Sequence, residues 1–215
     1  MPKIRELRES IDKKLDHWEA SATAFEAQLQ RTREQALARL EARKKTLNDA
    51  LERFKAEIAQ AKGIAEEKKK EMQTQFGELQ VQLALGKAET KDAFEAQSKK
   101  IRHLIATLEA KVDRHLDAAG QTIDESLEKA ADKLIDADIE YEAEAEALEA
   151  QFLIEKAETK AQFEKKKADL LAQIDEFKTK VKEKRGAAKD KAAAFEKELS
   201  AGISRIKHAF KTLSD

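Results

Sequence analysis

The sequence predicts an all-α protein, an elongated coiled coil of long, nearly straight antiparallel helices. Three observations predict it. Charged residues make up 40% of the 215 and aromatic residues 5%, with six Gly and one Pro. That is the composition of long helices rather than of a mixed α/β enzyme. Apolar residues still reach 41%, and they recur with a period, which argues against disorder. The period is about 11 residues, or about 3.67 per turn, slightly above the relaxed helix.

The stripe begins with Ile4, Leu7, Ile11, Leu15 and Trp18. It continues as Ala36, Leu47 and Ile58, and as Phe54, Ala65 and Phe76. Two further runs are Ile101, Val112, Ile123 and Leu134, and Ile105, Leu116 and Leu127. The last is Leu170, Val181, Ala192 and Ile203. The positions expected to carry helix association are Phe94, Ile101, Ile105, Val112, Tyr141, Phe152, Phe163 and Ile174.

Turns are expected near 118–122, 185–188 and 48–63. Gly120 can end a helix in the left-handed conformation, and Thr122 with Glu125 forms a T-x-x-E capping box for the next one. Gly186 follows the basic run Lys182, Lys184, Arg185, the charge that helix C-termini favour. Gly63 marks the third candidate. The 11-residue phase runs on through each glycine, however. The alternative architecture is therefore one continuous helical rod, roughly 320 Å long, in an oligomer.

The stretch "DADIEYEAEAEALEA", Asp136 to Ala150, sets acids at nearly every second residue. Period two suggests a strand, but Ala, Glu and Leu are helix formers. At about 98° per residue, Tyr141, Phe152, Phe163 and Ile174 share one meridian, with acids on both flanks. Ile135, Ile139 and Ile154 fall on the far side. A helix that is apolar on two sides requires two partners, as in the centre of a three-helix bundle or an oligomer. Folding the chain about Gly120 sets 99 beside 140 and 103 beside 136. Lys99, Lys100, Arg102 and His103 then face Asp136, Asp138 and Glu140, a charge match that selects antiparallel register.

The chain also repeats itself. "KAETKDAFEAQSKKI" from Lys87 returns as "KAETKAQFEKKKADL" from Lys156, and "AFEAQ" occurs at Ala24 and again at Ala93. Both offsets equal 69 residues. The chain reads as a single elongated helical domain of three diverged units, 18–86, 87–155 and 156–215.

No chemistry is expected. The sequence has no cysteine, so thiolate metal sites and disulfides are excluded. His17, His103, His115 and His208 form no H-x-x-x-H or E-x-x-H pattern, which the di-iron bundles require. P-loop, dinucleotide, G-x-S-x-G and zincin motifs are missing. No catalytic, cofactor-binding or metal residue is assigned, and the protein is expected not to be an enzyme. The lysine runs Lys68–Lys70 and Lys165–Lys167 are interleaved with Glu66, Glu67, Glu71, Glu164 and Asp169. They read as salt-bridged helix faces rather than as nucleic-acid contacts. The net charge of −1 offers no field for a polyanion. With no apolar leader and no apolar window of about 18 residues, a cytoplasmic location is expected.

Gln82 to Ile101 ("QLALGKAETKDAFEAQSKKI"), with Ile11 to Leu29, resembles a group of small bacterial coiled-coil proteins labelled hypothetical or stress-response. The resemblance implies a bacterial, cytoplasmic, helical protein and no catalytic residue. The 11-residue period is also similar to that of exchangeable apolipoproteins. Those repeats are commonly punctuated by proline, whereas Pro2 is the only one here. The function expected is a non-enzymatic structural or scaffold coiled coil that self-associates or binds another helical protein, with a stress link by resemblance. The alternative is a reversible amphipathic-helix binder of lipid or membrane surfaces.

Overall fold

The computed structural model describes residues 3–61, 64–88, 90–118, 124–154, 160–185 and 192–212, apart from the side chains of 117–118, 151–154, 160–163, 165 and 192–193. It is all-α. The elements are α1 (Ile4–Arg8), α2 (Ile11–Gln28), α3 (Arg33–Gln60), α4 (Glu66–Ala84), α5 (Lys91–Ala118), α6 (Glu125–Ile154), α7 (Lys160–Arg185) and α8 (Ala192–Lys211). They form two compact helical units. Unit 1 comprises Met1–Ser10 and Glu41–Tyr141; unit 2 comprises Ile11–Leu40 and Glu142–Asp215. Helices α3 and α6 each contribute to both. Among the described residues no helix is long and apolar enough to cross a membrane.

The single continuous rod is thereby replaced by separate helices packed on one another. Within the range 48–63, α3 continues past Asn48 to Gln60; Gly63 lies outside the described residues. Gly120, Thr122 and Gly186 lie outside them too, so the predicted T-x-x-E box is not described. The described cap of α6 is Asp124, whose Oδ1 accepts the Leu127 N–H at 2.9 Å and the Ser126 hydroxyl at 2.8 Å. That arrangement satisfies an N–H that the first helical turn otherwise leaves open.

Other ends follow the same chemistry. Helix α3 opens on a reciprocal capping box: Gln35 N–H donates to Thr32 Oγ1 at 3.3 Å, and Thr32 N–H donates to Gln35 Oε1 at 3.0 Å. Thr90 accepts the Ala93 N–H at 3.3 Å and starts α5. Lysines close helix C-termini, where carbonyls lack partners. Lys69 donates to Ala59 O at 2.9 Å, Lys44 to Leu85 O at 2.6 Å, and Lys166 to Thr212 O at 2.7 Å. Each of the two lysine runs thus sends one lysine to the end of a helix. Lys68 and Lys69 also pair with Glu71 and Glu66 on their own helix.

In unit 1, α3 and α4 run in opposite directions, joined by Lys55–Gln80 at one end and Lys69–Ala59 at the other. Next to Lys55, Phe54 meets Phe76 edge-on, ring centres 6.1 Å apart. Helix α4 pairs likewise with α5 through Glu71–Lys111 and Gln82–Gln97. Phe94, Ile101, Ile105, Val112, Leu134 and Tyr141 are buried here.

Unit 2 has its own apolar core. Leu15, Trp18, Ala22 and Phe25 of α2 meet Leu170, Ile174, Phe177 and Val181 of α7, and Leu199, Ile203, Ile206 and Phe210 of α8. Ala143, Ala147 and Ala150 of α6 join them. Ion pairs flank the seam: Glu26–Lys178 at 2.8 Å, Asp16–Arg185 at 2.8 Å and Lys184–Glu198 at 3.1 Å. Their order makes α2 and α7 antiparallel. Helices α2 and α8 run the same way, from Lys14–Glu196 to Phe25 against Phe210, whose tilted rings have centres 5.0 Å apart.

The approach of α7 to α8 depends on Gly202. A Cβ there would lie 2.6 Å from Phe177 Cδ2 and 2.7 Å from its Cε2, well inside contact distance. Gly202→Ala is expected to destabilise the protein by about 1–3 kcal/mol through overpacking. Gly77 in α4 has nothing within 4 Å of its would-be Cβ, and Gly77→Ala should stabilise by about 0.5–1 kcal/mol through helix propensity. Urea melts of the two variants check the opposite signs.

Candidate functional site: the acids of helix α6 and their arginine partners

Helix α6 is unusually enclosed. Ala131, Leu134, Ile135, Ala137, Ile139 and Tyr141 are all buried in unit 1, and Ala143, Ala145, Ala147 and Leu148 in unit 2. Their positions go round the helix rather than along one stripe. Two of its acids are carried inside with them: Asp138 is 2% exposed and Glu144 4%. A buried carboxylate is tolerated only with a close cation or donors, and each of these acids has arginine.

In unit 1 the partner is Arg8 of the five-residue helix α1. Arg8 Nη1 lies 2.8 Å from Asp138 Oδ2. The other edge of the guanidinium grips Glu109 of α5, with Nε 3.0 Å from Oε2 and Nη2 2.6 Å from Oε1. One turn along α5, Asp113 accepts the backbone N–H of Ile4 at 2.9 Å on Oδ1 and that of Arg5 at 3.1 Å on Oδ2. It thereby caps α1 from a distant part of the sequence. Glu6 takes the Lys3 N–H at 3.1 Å, and Ile4 is fully buried. Helix α1 is thus held by one apolar side chain and a set of charge-assisted bonds.

The cluster has more acid than arginine can neutralise at contact. Glu109 and Asp138 share one guanidinium, and Asp138 Oδ1 is buried with no hydrogen-bond partner. Burial pushes the Glu109 carboxyl above its ordinary range, helped by the charges of Asp138 and Asp113; the pull of Arg8 only partly offsets it. Burial likewise raises Asp138 against the opposing pull of Arg8 and, more weakly, Arg102. Desolvation outweighs the ion pair at both.

In unit 2, Glu144 lies between two arginines, Arg31 at 3.5 Å and Arg39 in closer contact. Arg43 meets Glu140 in unit 1. Asp138 and Glu140 take Arg8 and Arg43 as their ion-pair partners, while Lys99, Lys100 and His103 are exposed on α5. A guanidinium can fork between buried carboxylates while less strongly hydrated than an ammonium, so arginine is preferred inside. Arg102 is near enough to Asp138 for its charge to act on it. Tyr141 Oη and Ser98 Oγ are 3.4 Å apart, so α5 and α6 meet at 98 and 141. Asp136 is half-buried.

Phe94, Ile101, Ile105, Val112 and Tyr141 lie in the interior of unit 1, and Ile174 in that of unit 2. The side chains of Phe152 and Phe163 lie outside the described residues. Sequence reasoning passed over Arg8, Glu109 and Asp113. Their one available signal was an acid pair at i, i+4 on the flank of the α5 stripe.

Among the described residues no group of three or more His, Asp or Glu is placed to hold a metal. A surface cleft of ≈ 270 Å³ in unit 1 is lined by Glu52, Lys55, Ile58, Lys69, Gln73 and Phe76, and none of the cluster acids faces it. The chain matches no protein-family model, no curated protein and no solved structure.

Replacing Arg8 strands two acids. Arg8→Leu is expected to cost about 1–3 kcal/mol near neutral pH, below the 3–5 typical of a sealed pair, because α1 can lift and admit water. The cost should shrink as pH falls, since protonated Glu109 and Asp138 no longer need the cation. Urea melts at two pH values test both statements.

Proposed function

We propose that the protein is a non-enzymatic structural or scaffold protein that associates with copies of itself or with another helical protein. The observation that carries this reading is the use made of its buried acids. Asp113, Glu109, Asp138 and Glu144 face a helix N-terminus or arginines, and none of them lines the cleft between α3 and α4. Groups so committed organise packing rather than substrate chemistry. The surface that would serve such a contact is the C-terminal end of α4, where Val81 is 60% exposed and the C-cap Leu85, whose N–H bonds Val81 O, is 45% exposed.

Light scattering after size exclusion, over a range of concentrations, tests the association. A molar mass above the 24.2 kDa of one chain is expected. Val81→Lys with Leu85→Lys should return it to one chain without lowering the melting temperature. A chain that stays monomeric at its highest soluble concentration would remove self-association. Vesicle co-sedimentation with circular dichroism separates the lipid alternative: strong binding with a large gain of helix would favour lipid and defeat the scaffold reading.

A further inference from the structure

We propose that α1 is a proton-tightened strap: its seat on unit 1, built from Glu109, Asp113 and Asp138, closes most firmly when one proton is shared by the Glu109–Asp138 pair. The argument starts from a charge count. Helix α1 brings Arg8; α5 brings Glu109, Asp113 and Arg102; α6 brings Asp138. With every acid ionised, three carboxylates face two guanidiniums, and Arg8 is the one that ion-pairs with both Glu109 and Asp138. One added proton balances the set.

The geometry says where that proton belongs. Both oxygens of Asp113 are occupied as acceptors of main-chain N–H groups of α1, so neither is free to share a proton with the other acids. Glu109 and Asp138 compete for the same arginine, and Asp138 Oδ1 has no donor. Two acids so close titrate as a pair rather than singly. Of the other charged groups of α1 and its C-cap, Arg5 and Glu9 pair with each other at 3.0 Å in solvent and Glu6 accepts the Lys3 N–H at 3.1 Å, so they stand apart from this balance.

The sign follows by linkage. When α1 lifts, water reaches the seat and the two carboxyls return toward their ordinary range. When α1 docks, their affinity for protons rises, since burial is the dominant influence at both. Docking therefore takes up protons, and it weakens as pH rises through the raised values. Each unit of difference between docked and undocked states changes the docking constant about tenfold. So short a helix is otherwise held by the buried Ile4 and the Asp113 bonds, so this difference sets how firmly the strap closes.

Hydrogen exchange of the full chain reads the strap directly. Protection factors for Ile4 to Glu9, corrected for the intrinsic rate, are compared near pH 8 and near pH 5. The expected result is protection about tenfold higher at the lower pH, with α5 and the α3–α4 pair unchanged. Glu109→Gln mimics the protonated acid and keeps an acceptor for Arg8. It should raise protection at the higher pH and flatten the profile. Asp138→Asn supplies the same test on the other acid should the first variant fold poorly. Protection that is independent of pH, or that falls on acidification, overturns the proposal. So does a pH profile left intact in whichever neutral variant folds.

Discussion

Burying charge on α6 is the constraint on which much of this structure depends. A helix enclosed on nearly every side cannot present its acids to water, so those on its inner faces require cations brought by other helices. Asp138 obtains Arg8 in unit 1, and Glu144 obtains Arg31 and Arg39 in unit 2. A buried ion pair contributes little net stability, because desolvation consumes most of the Coulomb gain. It does penalise every arrangement that leaves the acid alone. The alanines between the acids pack closely but with little shape. The ion pairs supply the discrimination between registers that Ala cannot.

The same reasoning explains why so short an element as α1 is ordered. Five residues do not nucleate a stable helix alone. Asp113 replaces the missing cap from another helix, Arg8 joins two buried acids, and Ile4 fills an apolar gap. Each contact lies in tertiary space, more than a hundred residues away along the chain from its partner in α5. Elsewhere the lysines behave in the same way. Lys44, Lys69 and Lys166 each close a helix end, so these three cations serve helix termini.

The helix class followed from composition and apolar period. The helical reading of "DADIEYEAEAEALEA" followed from its residue types, and its two apolar sides called for partners on both. Other features were present in the sequence and passed over. The T-x-x-Q of Thr32 and Gln35 marks the start of α3, and Thr90 the start of α5. Their signal is local, since a cap needs only neighbouring residues. Arg8 with Glu109 and Asp138 had no such signal, because nothing local relates α1 to α5.

By itself the sequence determined that the chain is helical, that its apolar positions seek burial, and that acids crowd one helix. Those are properties of propensity and period, which act over a few residues. Only the tertiary structure decided which acids are buried, which arginine meets each, and that the helices gather into two units rather than one rod. The physical reason is range. Burial, and the desolvation that lifts Glu109 and Asp138 above the ordinary carboxyl range, exist only once distant helices close around them.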